Sequence, residues 1–170
     1  MIIKDFMNNE WSCKCIGCSI GSGEIMPPGD IITETKSFVL HQDPEVPIKG
    51  FLIIASKNHI KSISQLTLEE ASELFNLVYR ARLAMKNTGE INEVTIIQEE
   101  RSGHFHLWLL PRYEWMIDKF GNSLSSIREM MNYSKENLKT KDNIEEVLLV
   151  ISKLKDAFKI DNEHNITSEF

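Results

Sequence analysis

Two short stretches carry residue types able to do chemistry, His104-Phe-His106-Leu-Trp108 and Cys13-Lys-Cys15-Ile-Gly-Cys18. On a β-strand, residues i, i+2 and i+4 share one face. His104, His106 and Trp108 therefore point one way, and Phe105, Leu107 and Leu109 the other. The apolar set belongs to the core; the first set lines a cleft or a second layer, or is a half-exposed strand with two incidental histidines. A neutral imidazole is a competent nucleophile near pH 7. Cys15-x-x-Cys18 supplies two thiolates at the spacing of half a tetrahedral zinc site. A thioredoxin-like redox pair would precede a helix near a βαβ pattern, which the sequence does not suggest. The missing ligands must come from His41, His59, His104, His106 or His164. C-x-C-x-x-C leaves either pairing open, with Cys13 a third sulfur or a surface thiol beside the site. His59, in Ser56-Lys57-Asn58-His59, is equally a polar loop residue at a strand end.

The elements that must hold these residues can be read from pattern. Residues 31–41 are rich in β-branched types and predict a strand; 51–55 (FLIIA) predict a short buried one. Thr67-Leu-Glu-Glu70 is a capping box, followed by Ala71, Leu74, Phe75, Val78, Ala81 and Met85 at helical spacing and Gly89 as a stop. Residues 93–99 and 104–110 predict an antiparallel hairpin turning at Ser102-Gly103. Helical periodicity returns over 123–138 and 143–158, the second capped at Asp142 to Glu145. Residues 1–12 read as a loosely ordered lead-in, and the last ten as a frayed tail. The order predicts an α+β fold, mostly antiparallel, with a packed helix and further C-terminal helices.

Composition narrows the function classes. The 170 residues amount to one domain, or one with a small appendage. Lys+Arg total 19 against 25 Asp+Glu, a net charge of −6, which does not suit sequence-independent binding of duplex nucleic acid. With 42% hydrophobic and 26% charged residues, the mix is that of a globular protein rather than a disordered one. No apolar run approaches the ~20 residues that span a bilayer. The opening MIIKDFMNNEW lacks the apolar core of a signal peptide, and the cysteines form no disulfide framework. A cytoplasmic, reducing setting without membrane partners is the expectation.

These pieces, in this order, resemble the histidine-triad (HIT) superfamily of nucleotide hydrolases and transferases. Four separated features carry the likeness: the C-x-x-C segment, the buried strand ending in a His-bearing loop, the helix, and an H-x-H-x-x strand followed by Pro111-Arg112. The resemblance covers about 13–113, implying a HIT-like domain there and a helical extension, 114–160, packed on it. It implies that His106 attacks the α-phosphate of a nucleotide and carries it covalently, with its far ring nitrogen held by a hydrogen bond. It implies a structural zinc ion on Cys15, Cys18, His59 and His104. Gln98, Ser102 and Gly103 match positions that hold phosphate in relatives, where donors act on developing charge. Asp43, or its neighbour Gln42, falls near the ribose position, or is an ordinary turn residue before Pro44. Arg112 binds a distal phosphate or caps the strand end. Homodimers are common in the family.

The motif departs from the family at its third histidine, which is Trp108. Indole has one N–H donor and no proton that titrates near pH 7, so it cannot be a general acid. A uridylyltransferase branch of the superfamily also lacks this histidine and is active. Trp108 and Trp115 stack a base or simply pack. Three readings follow: a nucleotidyl hydrolase or transferase acting on dinucleoside polyphosphates or related nucleotides; a zinc-stabilised nucleotide-binding module with little or no turnover; and a hydrolytic zinc held by His104, His106 and the cysteines.

Overall fold

A five-stranded antiparallel sheet positions everything that follows. The computed structural model describes the backbone of residues 1–167 and the side chains of 1–160. The chain runs β1 (Ile2–Lys4), β2 (Glu10–Ser12), α1 (Ile16–Gly21), β3 (Thr33–Glu34), β4 (Phe38–Gln42), β5 (Leu52–Ser56), α2 (Leu68–Asn87), β6 (Val94–Gln98), β7 (His106–Pro111), α3 (Glu114–Phe120), α4 (Ile127–Asn137) and α5 (Lys141–Thr167). The main sheet has the order β3-β4-β5-β7-β6, every pair antiparallel, and β1 and β2 form a separate hairpin. The fold is α+β with additional C-terminal helices, as the pattern predicts.

Register sorts the side chains. One row crosses the sheet as His41, Ile53, Trp108 and Ile97; Val39, Ala55 and His106 form the next row on the same face. The opposite face carries Phe38, Leu40, Leu52, Ile54, Leu107 and Leu109, packed in one core with Leu74, Leu77, Ala81 and Met85 of α2 and with Val147, Val150, Ile151 and Leu154 of α5. On the first face, Val39, Ile53 and Ala55 pack with Ile20, Val46, Met116, Ile127 and Met130. Every residue of β4 and β5 is buried, which is why FLIIA is apolar without alternation.

The capping box forms as read: Thr67 Oγ1 accepts from the Glu70 N–H at 3.1 Å, and Glu70 accepts from the Thr67 N–H at 2.8 Å. Phe75, placed on the apolar stripe by spacing, is instead 75% exposed, because the packed stripe is Leu74, Leu77, Ala81, Ala84 and Met85.

Several expectations are corrected. Residues 1–12 are ordered: Asp5 accepts from the backbone N–H groups of Met7 and Asn9 to close a turn, and Phe6 is fully buried in the main core. The single strand expected over 31–41 is a hairpin, closed by the Thr35 N–H donating to the Phe38 carbonyl. β-Branched composition cannot distinguish one strand from two with a tight turn. His104 lies outside β7, because a 3₁₀ turn, Glu100–Ser102, precedes it. α3 was not foreseen. α5 starts from Thr140, whose Oγ1 accepts from the Asn143 N–H, rather than from Asp142. Its backbone stays helical to Thr167, into the expected tail; residues 168–170, and the side chain of His164, lie outside the described residues. Among the described residues no helix is long and apolar enough to cross a membrane.

Candidate functional site

His104 and His106 sit two residues apart and face different surroundings. Cys15, Cys18, His59 and His104 converge, with all four ligand atoms within 4.8 Å of one another. His104 Nδ1 lies 3.3 Å from Cys15 Sγ, 3.6 Å from Cys18 Sγ and 3.3 Å from His59 Nδ1. His59 Nδ1 lies 3.3 Å from Cys18 Sγ and 3.6 Å from Cys15 Sγ. Zinc bonds of ~2.3 Å to sulfur and ~2.0 Å to nitrogen set tetrahedral edges of about 3.5 Å, which these separations match. Two thiolates and two imidazoles complete a closed site, so the set fits structural zinc. A zinc ion held there would tie the N-terminal segment to the loop after β5 and to the segment just before β7.

The surroundings prepare this site. His104 Nε2 lies 2.8 Å from the Ser56 carbonyl, so its N–H donates there and leaves Nδ1 as the ligand atom. Burial lowers the His104 pKa, favouring the neutral, metal-binding ring. Burial and the neighbouring Cys15 raise the Cys18 thiol, so a thiolate there calls for a cation. The cysteine segment is itself the start of a short helix, which the sequence did not suggest. Within it a Cβ on Gly17 would stand 2.4 Å from the His104 ring, so glycine lets α1 lie against the imidazole. Cys13 is buried in the apolar cluster with Ile3 and Ile20; it is neither in the ligand set nor a surface thiol.

His106 belongs to a different environment. Its Nδ1 lies 3.0 Å from the His104 carbonyl and donates there, so in the neutral ring Nε2 carries the lone pair. The ring lines a cavity of about 360 Å³, a size that suits a small ligand. Ser102, Gly103, Trp108 and Asp43 share that wall. Gly103 adopts φ 84°, a left-handed conformation that lets the chain turn from the 3₁₀ segment into His104. Ser102 Oγ lies 2.8 Å from the Glu99 carbonyl and 3.0 Å from the His104 carbonyl, so its hydrogen is engaged by backbone. Asp43 Oδ1 accepts from the Glu45 and Val46 N–H groups at 2.8 Å, an Asx turn at the cavity edge. Burial raises its pKa to about 6 despite those donors. Trp108 stands 5.9 Å from the His106 ring, with the Phe51 ring edge-on at 5.7 Å.

Two of the residues matched to phosphate binding are not brought to this cavity. Gln98 pairs with Leu107, on the opposite face from His106, and its buried Nε2 has no partner among the described residues. Arg112 lies past the end of β7, with Nη2 3.4 Å from Asn122 Oδ1. Gln42 is buried and donates to the Ile48 carbonyl at 2.8 Å. Conversely, Lys14, His41, Met131 and Lys135 line the cavity and were not singled out for it. His41 could have been placed by alternation along β4; the others depend on how remote segments pack.

No family model matches the chain. A Bacillus subtilis (strain 168) protein, "Protein hit", is 27% identical over 106 residues, spanning 59% of this chain and 72% of that protein. The crystal structure of a HIT family protein from Bacillus anthracis is similar at 29% identity and TM-score 0.55, over 76% of this chain and 92% of that one. A zinc-bound histidine triad family protein from Mycobacterium smegmatis shares the fold at TM-score 0.56 and 16% identity, over 85% of this chain and 97% of that one.

Proposed function

We propose that the chain is a member of the histidine-triad superfamily, a nucleotide hydrolase or nucleotidyltransferase working through His106. The observation that carries this reading is the His106 tautomer. With Nδ1–H committed to the His104 carbonyl at 3.0 Å, Nε2 is the nucleophile and its cavity is large enough for a nucleotide. In the first step Nε2 bonds to the α-phosphorus, and the bond from that phosphorus to the leaving oxygen breaks, its electron pair departing with the leaving group. In the second, water or another acceptor bonds to phosphorus, loses a proton, and releases Nε2. Zinc, when bound to its four ligands, supplies rigidity: it holds His104, whose carbonyl in turn orients His106.

The substrates that suit this site are dinucleoside polyphosphates or related nucleotides with phosphate leaving groups. A phosphate departs without a proton, whereas an amine or alkoxide needs one that Trp108 cannot give. The same tryptophan favours a second reading, a zinc-stabilised nucleotide-binding module with little or no turnover. The two separate in one experiment. Zinc-loaded protein mixed briefly with diadenosine tetraphosphate and quenched in base should yield a nucleotidyl adduct on His106, detected by peptide mass spectrometry. Nucleotide binding with no adduct across a broad substrate panel would leave the binding module. The hydrolytic-zinc reading has less support, since His106 stands outside the closed ligand set.

A further inference from the structure

We propose that Lys14 binds the terminal phosphates of the leaving group and so makes the cavity selective for nucleoside polyphosphates; this rests on the nucleotidyl-transfer reading above. The cavity wall carries two lysines, Lys14 and Lys135. Lys135 Nζ is 3.1 Å from Glu45 Oε1, so its charge is answered by a carboxylate that lines the same cavity. Lys14 is exposed and forms no ion pair or side-chain hydrogen bond among the described residues. An unanswered cation on a cavity wall, in a chain of net charge −6, is a site for an anion.

Its backbone is held relative to the nucleophile. Cys13, on one side, is buried in the apolar cluster. Cys15, on the other, has its sulfur 3.3 Å from His104 Nδ1, and the His104 carbonyl holds His106. Lys14 therefore lines the cavity of His106 from the residue next to a zinc-centre cysteine, together with Ser102 and Gly103.

The chemistry at Trp108 gives this cation a task. When the bond between the α-phosphorus and the bridging oxygen breaks, the electron pair stays on the departing phosphate oxygen. The Lys14 ammonium takes part in no proton transfer and offsets the added negative charge by proximity. An acid at position 108 is then unnecessary for phosphate leaving groups and still missing for amines.

The test uses the zinc-loaded full chain. Dissociation constants for AMP and α,β-methylene ATP are measured for wild type, Lys14→Ala and Lys14→Arg, with zinc content checked in each. Lys14→Ala should weaken the ATP analogue about tenfold, the size of one lost charge-assisted contact, and change AMP less than about twofold. Lys14→Arg should restore the preference. Equal changes for both ligands, no change, or no rescue by arginine despite retained zinc would each overturn the proposal. Should Lys14→Ala lose zinc, Lys14→Gln and Lys14→Arg decide it by the same ratio. Turnover reads the two ideas apart. An adduct on His106 with a polyphosphate preference unmoved by Lys14→Ala overturns Lys14 alone. A Lys14-dependent preference without any adduct overturns the nucleotidyl transfer and leaves the phosphate site.

Discussion

The zinc cluster and the cavity are neighbours built on one motif, and they differ in which imidazole nitrogen the backbone occupies. At His104 the Ser56 carbonyl takes Nε2–H and turns Nδ1 toward two sulfurs and another imidazole. At His106 the His104 carbonyl takes Nδ1–H and leaves Nε2 to the cavity. The same side chain thus becomes a structural ligand at one position and a free lone pair at the other. A hydrogen bond to a main-chain carbonyl is enough to assign the role.

The sharpest way to break this contrast is to remove each imidazole in turn. His104→Ala should release zinc and lower the unfolding free energy by more than about 4 kcal/mol, since metal binding is coupled to folding. Denaturant unfolding with metal analysis measures both. His106→Ala should keep one zinc per chain and stay within about 0.5 kcal/mol of wild type. It should lose adduct formation, and any turnover on the order of 10⁴-fold or more. Loss of zinc in His106→Ala would dissolve the division between the two regions.

His41 is a third imidazole on the same sheet face, buried, with Nδ1 2.8 Å from the Gln42 carbonyl. Burial is the main cause lowering its pKa from 6.5 to about 4, against the raising effect of the Gln42 carbonyl and with a smaller lowering effect from His106. The unfolded chain therefore binds this proton first as pH falls, so the folded state loses stability from about pH 6.5 down to about pH 4. That gap corresponds to roughly 3 kcal/mol. Asp43 opposes it: with a pKa raised to about 6, it favours the folded state as pH falls through the same range. The difference between wild type and His41→Gln isolates the histidine. The variant should gain on wild type by up to about 3 kcal/mol between pH 7 and pH 4, followed by urea unfolding. A pH-independent difference would show that His41 is not held neutral by burial.

Gly17→Ala tests how closely the cluster is fitted. The added methyl meets the His104 ring, which is held by Ser56 on its far nitrogen, so one of the two must shift. A loss of about 1–3 kcal/mol with weaker zinc retention against a chelator is expected. The smallest effect lies outside both regions. Tyr113→Phe removes a hydrogen bond of 2.9 Å to the Lys49 carbonyl, where the chain leaves the sheet for the C-terminal helices. It should cost about 1 kcal/mol in thermal unfolding and leave zinc content unchanged.

Much of this was legible in residue types and short spacings. The C-x-x-C pair, the alternating strand, the capping box and the Trp108 departure all depend on contacts within a few residues, where local geometry dictates the outcome. Residues 1–12 were misread because Phe6 finds its place in a core assembled from distant strands. The 31–41 strand was misread because a tight turn hid inside a β-rich composition. Gln98 was matched to phosphate binding by position along the chain, yet strand register turns it to the face opposite His106.

The sequence by itself determined that two thiolates, two aligned imidazoles and a tryptophan lie on segments a strand and a short loop can bring close. Only the tertiary structure decided that His59 and His104 join the cysteines, that His106 does not, and that Lys14, His41 and Lys135 share its cavity. The reason is separation along the chain. His104 meets Cys15 across 89 residues and Lys135 meets Glu45 across 90, and such pairings follow from sheet register and helix docking, which no local pattern encodes.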